Sequence, residues 1–460
     1  MKTSMIILSL LISSATFSQG WEQLFDGKTL NGWKLITGKA EYKAENGAIV
    51  GTTVMNSPNS FLVCDKKFPG DFILELEAMM SDASTNSGVQ FKSNFEPAGN
   101  NGQGKITGYQ FEMDPSSRKW SGGLYDEGRR EWLYPVSLNS KAQSFFTPNV
   151  YHKIKIECIG NTVKTWLDGK ATSFVVDTLT TNEGLIGLQV HAINDAARKG
   201  IKIYWKNIRI QTVPKESLQT DIIPSAFPQG IYVVNLQPNN LTNYEKQDGW
   251  KLLFDGKSKS GWVGAYKNSF PEKGWEINEG ILKVLSSEGK EAANGGDIVT
   301  TDQYSAFDLS FEFKLTAGAN SGVKYFVTLN ENNSGSAIGL EYQLLDDSLH
   351  PDAKMGRNGN RTLASLYDLI KAEKTTRFIK QPGYWNSGRI IVYPNNHVEH
   401  YLNGIKVLEY ERGSPAYRDL VEISKYKIWK NFGEAKQGHI LLQDHGNEVS
   451  FRSIKIRVLN

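Results

Sequence analysis

Cysteine is scarce: Cys64 and Cys158 are the only two in 460 residues. Two thiols in so long a chain exclude a disulfide-built fold, and with no CxxC pair they exclude a cysteine metal site. Both lie in apolar runs, FLVC and IKIEC, where buried free thiols are expected. An excess of charge of one sign is also missing. Lys+Arg number 52 and Asp+Glu 49, a formal charge of +3, which argues against nucleic acid or a polybasic membrane contact as partner. No apolar run approaches the ~20 residues that span a bilayer, so no membrane insertion is expected. The GxSxG elbow, the phosphate loop, the dinucleotide fingerprint and HExxH are absent. Any chemistry must come from carboxylates, Arg, His and amides spread over a sheet face, and no organic cofactor is implied.

Glycine and aromatics are plentiful, with Gly 43, Trp 11 and 11% aromatic residues. That suits hairpin-rich β structure and sugar-binding surfaces. The length allows two or three domains at roughly 100–200 residues each. The N-terminus reads as a processing segment: Lys2, an apolar run Met5 to Ile12, then small and polar residues to Ser18. The apolar stretch fits a secretory signal cut near Ser18/Gln19, with Thr16 and Ser18 before the cut. A secreted or periplasmic location is therefore expected.

An internal repeat organises the rest. GWEQLFDGK from Gly20 returns as GWKLLFDGK from Gly249. In the same order, Thr85–Val89 is echoed by Ala319–Val323, Trp166–Lys170 by Tyr401–Ile405, and Gly187–His191 by Leu441–His445. A period of domain size means duplication rather than a solenoid. Within each copy the dominant period is two, as in Phe72–Ala78, Tyr151–Cys158, Phe307–Phe313 and Phe451–Val458. That alternation predicts antiparallel strands with one face in a core, and DG, NG and LNG turns punctuate them at hairpin spacing. The fold class is all-β, two tandem β-sandwiches. The boundaries are a signal at 1–18, a first sandwich at 19–212, a linker at 213–247 and a second sandwich at 248–460. The linker carries Pro214, Pro224, Pro228 and Pro238, and its apolar patch Ile231–Val234 could add a strand. One short helix is expected, at Thr362–Lys371. Trp21, Phe25 and Trp33, with Trp250, Phe254 and Trp262, read as core and closure residues.

Candidate site residues follow from the strand period. In GYQFEMD, Gln110, Glu112 and Asp114 share one strand face, which is either a solvated sheet or a surface matched to sugar hydroxyls. The Gly-rich loop from Trp120 to Arg130 adds Tyr125 and Arg129, with Asp126 and Glu127 as alternative partners for the arginines. The second copy offers Glu341, Gln343, Asp346, Asp347 and His350, and the last three could hold a divalent cation. His191 and His445 recur at matching places after Gln189 and Gln443. Arg452 and His400 would join them if their strands were adjacent.

These motifs resemble a known family. LFDGKTLNGW and LFDGKSKSGW, the two NSGV segments, YQFEMDP and EYQLLDD, LNG, and LLQDHG followed by FRSIKI are similar to the 3-keto-disaccharide hydrolase domain family, nearly end to end in both copies. The resemblance implies concanavalin A-like jelly-roll sandwiches and cleavage of glycosides already oxidised to a ketone at carbon 3. It also implies export, and a sugar 3-dehydrogenase as pathway neighbour. The near-zero charge suits a neutral saccharide. Elimination across carbons 1 and 2 needs a base, a group to hold the enolate oxygen and an acid. Glu112 or Asp114, Arg129 and His191 could supply them in the first copy. Glu341, Asp346, His445 and Arg452 could do so in the second. Substrate contacts are expected from Gln343, Asn320, His400 and Gln443, and from Gln110, Asn86, Tyr125 and Gln189. Hydrolysis by two carboxylates remains an open route, as does a lectin-like protein that binds sugar without cutting it.

Overall fold

The computed structural model describes residues 20–178, 183–212, 225–226, 230–330 and 336–460. The expected signal at 1–18 and the linker residues Pro214, Pro224 and Pro228 lie outside the described residues. The chain divides into two compact units; the second also takes in residues 134–140 and 174–178.

Each unit is a two-layer β-sandwich, as the alternation requires. In the first, one sheet runs in the order Lys170–Val176, Thr162–Leu167, His152–Ile159, Phe72–Met80, Lys202–Thr212, Ala48–Thr52, Glu41–Glu45. The strands of the other sheet that build the site are β1 (Ser60–Cys64), β2 (Ser87–Glu96), β3 (Lys105–Met113), β4 (Leu124–Glu127) and β5 (Glu183–Val190). Their spatial order is β4-β3-β2-β5-β1. In the second unit the site sheet contains β6 (Ile298–Thr300), β7 (Asn320–Val327), β8 (Leu340–Leu345) and β9 (His439–Leu442), in the order β6-β9-β7-β8. Its partner sheet is centred on Phe307–Leu315 and Val449–Val458. Phe307, Leu309, Val323 and Tyr325 of the two layers meet in one buried cluster.

The repeated opener folds the same way twice. The Asp26 carboxylate accepts the Lys28 and Thr29 N–H at 2.8 and 2.7 Å, and Asp255 accepts those of Lys257 and Ser258 at the same distances. Each turn delivers a buried tryptophan whose indole N–H donates back to the chain, Trp33 to Leu24 O at 2.7 Å and Trp262 to Leu253 O at 2.6 Å. Phe25, Trp250 and Phe254 are buried with them, while Trp21 lies half-exposed under Arg209. At the DG and NG hairpins, Asp168–Gly169 and Asn403–Gly404 all take positive φ (48°, 75°, 50°, 80°), the geometry of a tight primed turn.

One expectation changes. Thr362–Lys371 is not a helix: Ala364 and Asp368 have positive φ, and the segment is held as turns because Ala364 N donates to Gln343 O and Tyr367 N to Glu341 O at the edge of β8. The longer α-helix described in this unit is α1 (Pro415–Glu422), started by Ser414, whose hydroxyl accepts the Tyr417 N–H. The described part of the linker packs and adds a short strand at the end of the apolar patch Ile231–Val234. Val234–Asn235 pairs in parallel with Val175–Val176. The Tyr232 ring stacks on Arg389 at 4.0 Å, and Glu245, buried in a one-turn helix with a capping box, pairs with Lys455. Cys64 and Cys158 are buried free thiols. Among the described residues, no helix is long and apolar enough to cross a membrane.

Candidate active site

Directly opposed residues of antiparallel strands point to the same side of a sheet. Tyr109, Phe111 and Met113 of β3 are wholly buried in the core, so Gln110 and Glu112 face outward. Opposite them on β2 stand Gln90 and Gly88, and Gln189 of β5 stands beyond Gly88. The second unit repeats the layout. Tyr342 and Leu344 are core, Lys324 of β7 faces Glu341 and Gly322 faces Gln343. Gln443 donates its backbone N–H to Gly322 O at 3.0 Å.

The glycine of each NSGV segment has a steric reason. A Cβ on Gly88 would lie 2.4 Å from the Gln110 side chain, and one on Gly322 would lie 2.3 Å from Glu341 Oε1. The long side chain of the neighbouring strand therefore lies across the bare glycine. In the first unit that side chain ends in an amide; in the second it ends in a carboxylate.

In the first unit the polar row is closed on itself. Ser93 Oγ donates to Gln90 Oε1 (2.7 Å), Gln90 Nε2 to Gln110 Oε1 (2.8 Å) and Gln110 Nε2 to Glu112 Oε2 (2.8 Å). Burial pushes the Glu112 carboxyl up to about 8, against the pull of the Gln110 hydrogen bond. It is a neutral acid at pH 7. Two residues along the same face, a cleft of about 520 Å³ is lined by Asn86, Asp114, Arg118, His191, Asn194 and Arg198, among others. Asp114 is held by Arg118 at 2.7 Å and by the Ser116 N–H at 3.1 Å. His191 Nδ1 lies 2.7 Å from Ala192 O. Asn86 Oδ1 and Gln189 Oε1 are buried without a hydrogen-bond partner among the described residues, which leaves them open to a ligand donor. Tyr125 stands opposite Gln110 and packs edge-on to Trp132 at 5.3 Å.

The second unit has a charged row instead. Lys324 donates to Ser336 Oγ and Ala337 O, both at 2.9 Å. On β6's approach, Asp297 accepts the Asp444 and Ala337 N–H, and burial raises it to about 6 while Lys324 opposes the rise. With its amide oriented to suit its neighbours, Gln343 donates to Ser321 O (3.0 Å) and Glu341 Oε1 (3.2 Å). Asn320 Nδ2 lies 3.3 Å from His445 Nε2, and the His445 ring is 6.3 Å from that of His350. Gln443 Oε1 is buried and has no hydrogen-bond partner among the described residues.

Register removes several expected residues. Asp126 pairs with Tyr109, a core residue, so Arg129, bonded to Asp126 at 2.7 Å and lying over the Tyr109 ring, is on the wrong side of the sheet from Glu112. Arg452 follows the core residue Phe451 and points outward from the partner sheet, where it pairs with Glu312 at 2.9 Å and covers Trp385. His400 has no exposed surface. It bonds Tyr325 Oη at 2.9 Å and Ala364 O at 3.1 Å, and burial lowers its pKa to about 4. Asp346 caps its own loop. Burial raises its pKa, but bonds from Ser348, Gly318 and Leu349 outweigh that and hold it below the usual range.

Nor do Asp346, Asp347 and His350 converge on a cation. Asp347 accepts the Leu363 N–H and pairs with Lys374, and His350 accepts the Asp352 N–H. Among the described residues, the group with metal-ligand spacing is His397, Glu399 and Glu409 on the partner sheet. There the Lys406 ammonium already joins the two carboxylates.

Three residues of this site were not anticipated. Lys324 was legible in principle, being two residues from Gly322 on a strand. Tyr367 reaches the face because its N–H bonds Glu341 O at 3.0 Å. Lys425 comes from the distant segment after α1 and sets its ammonium 4.2 Å above the Tyr367 ring.

Comparison with known proteins agrees with the duplication. The sequence model of the 3-keto-alpha-glucoside-1,2-lyase-like domain matches residues 20–211 and again 249–457. A relative named 3-keto-disaccharide hydrolase, from Bacteroides thetaiotaomicron, is 37% identical over 234 residues, covering 46% of this chain and 79% of the relative. A solved structure described as a putative glycosyl hydrolase from Parabacteroides distasonis is 29% identical, covers 49% of this chain and 100% of its own, and has a TM-score of 0.42. The carbohydrate-binding module CBM66 from Bacillus subtilis is 17% identical over 39% of this chain and 96% of its own, with a TM-score of 0.28.

Proposed function

The chain belongs in both halves to the 3-keto-alpha-glucoside-1,2-lyase-like domain family, and we propose from that premise that it cleaves the glycosidic bond of 3-keto-glycosides, with the second half carrying the chemistry. The supporting observation is the Glu341 carboxylate, laid across Gly322 and facing Lys324 on the outer face of β7 and β8. A ketone at carbon 3 acidifies the proton on carbon 2, so an ordinary carboxylate suffices as base. Glu341 takes that proton, and the C2–H electrons form the enolate with its charge on the carbon-3 oxygen. The enolate collapses, the C1–O bond breaks and a C1=C2 bond forms. The leaving oxygen receives the proton from Glu341. Water then adds its hydroxyl to carbon 1 and its proton to carbon 2, so the net reaction consumes one water per glycosidic bond. Gln343, Asn320, Gln443 and His445 are placed to meet sugar hydroxyls. Direct hydrolysis would need a second free carboxylate: Asp297 and Asp346 are occupied by backbone N–H groups, which leaves the exposed Glu291, 3.4 Å from Gln443 Nε2, as the one it would use.

The first half supports the other reading, binding without cleavage. Its Gln110 puts an amide where Glu341 puts a carboxylate, its Glu112 is a protonated acid, and its cleft of about 520 Å³ falls in the size range of small-molecule sites. Export through the N-terminal segment and a sugar 3-dehydrogenase that supplies the ketone belong to the same proposal. The test is incubation of the purified chain with 3-keto-trehalose and with trehalose. Release of glucose and 3-ketoglucose from the oxidised sugar alone is expected. No release from either sugar, with binding retained, would leave a lectin.

A further inference from the structure

Elimination leaves one role unfilled: a cation beside the carbon-3 oxygen. Arg129 and Arg452 are turned away from the candidate faces. Arg361 is engaged by Asp352 and Asp368. Lys324 already spends two of its N–H groups on Ser336 and Ala337. Lys425 differs, since its ammonium has no hydrogen-bond acceptor among the described residues and rests on the faces of Tyr367 (4.2 Å) and Tyr426 (5.2 Å).

The segment that carries Lys425 has no counterpart in the first half. There the chain passes from Val176 to Glu183 across residues 177–182, whereas in the second half residues 412–438 separate Glu411 from β9. The insertion is pinned at several points. Tyr417 Oη donates to Phe432 O at 2.6 Å, and the Tyr426 and Phe432 rings stack at 3.9 Å. The backbone N–H of Lys425 donates to Asp368 Oδ2 at 2.8 Å. Asp368 follows Tyr367, which is paired with Glu341, so the ammonium is tied to the strand that bears the base. Burial lowers the Lys425 pKa, with Glu341 the strongest opposing charge and Lys324 and Arg361 adding to the fall. Lys425 is nevertheless solvent-exposed, and its open donors sit over Tyr367, tied through Asp368 to the segment that bonds the strand bearing the base, from where an ammonium can donate to an enolate oxygen.

We propose that Lys425 is a catalytic residue that donates to the carbon-3 oxygen as its negative charge develops, delivered by the insertion after the strand Ile405–Glu411. This rests on the reading of the second half as a 3-keto-glycoside-cleaving site. The experiment uses the full chain with 3-keto-trehalose, in water and in deuterium oxide. K425M should lose roughly 100- to 1,000-fold in kcat with KM within about threefold, the loss of one oxyanion donor. Exchange of the carbon-2 proton should slow by the same factor. K425R should recover part of the rate, and ethylamine should restore turnover to K425A. A K425M enzyme that exchanges and releases sugar within threefold of wild type overturns the proposal. So does a folded K425A that amines do not rescue. Failure of the wild-type chain to turn over would instead overturn the reading of the site.

Discussion

Across Gly88 in the first half lies the amide of Gln110, and across Gly322 in the second lies the carboxylate of Glu341. The residue two places on is reversed as well, Glu112 in the first half and Gln343 in the second. The two faces therefore carry the same residue types in exchanged order. The surroundings differ to match. Glu112 lies opposite Gly88 rather than a lysine, accepts from the Gln110 amide and feels Arg118, yet burial holds its pKa near 8. Glu341 faces Lys324 and feels Lys425. An exchange of two positions, with one lysine on the next strand, separates a proton-holding carboxyl from one placed to act as a base. Composition alone does not register the difference.

The comparison is broken most directly at the two glutamates. Glu341→Gln should lower release of sugar from a 3-keto-disaccharide by about 10³-fold, within the range of a general base, while Glu112→Gln should stay within threefold. Equal losses in the two variants would end the division between the halves. The glycines come next. Gly322→Ala should displace Glu341, reducing kcat by about tenfold or more and stability by roughly 1–3 kcal/mol. Gly88→Ala should cost similar stability in thermal melts and leave kcat alone.

The Glu112 carboxyl gives a pH signature confined to the first half. Its folded pKa of about 8 lies above its unfolded value. Between roughly pH 4.5 and 8 the folded state keeps a proton that the unfolded chain has lost, so stability falls as pH rises through that window. Glu112→Gln should flatten this slope, by on the order of 3 kcal/mol between pH 5 and pH 8. Melts at the two pH values check it, and an unchanged slope would mean that Glu112 is ionised when folded. Smallest of all, Arg452→Met removes a part-exposed pair with Glu312 and should cost under about 1 kcal/mol with turnover intact. A large loss of turnover would restore Arg452 to the site.

Much of this was legible beforehand. The repeat and the two-residue alternation give two sandwiches, and both polar strand faces, Gln110–Asp114 and Glu341–Asp346, were singled out. His191, Asn86 and Asp114 do line a common cleft. Three of the differences share one cause. Arg129, Arg452 and His400 are the right residue types on the wrong side of a sheet, and sidedness depends on which residue faces which across the ladder. Asp346 was misjudged because only its backbone donors, Gly318 and Ser348 among them, reveal a loop cap.

The sequence by itself determined what is local and periodic: the duplication, the LFDGK turn with its tryptophan, the primed DG and NG hairpins, and the alternation that builds each core. Apart from the duplication, which is read by comparing the two halves, these depend on neighbours two to nine residues apart. Tertiary structure decided which carboxyl meets which cation. Lys324 stands opposite Glu341 through pairing of β8 with β7, and Lys425 is carried to Tyr367 by the folded insertion. Such contacts are set by strand register and packing over long separations, and a single residue of slip would turn every one of them to the opposite face.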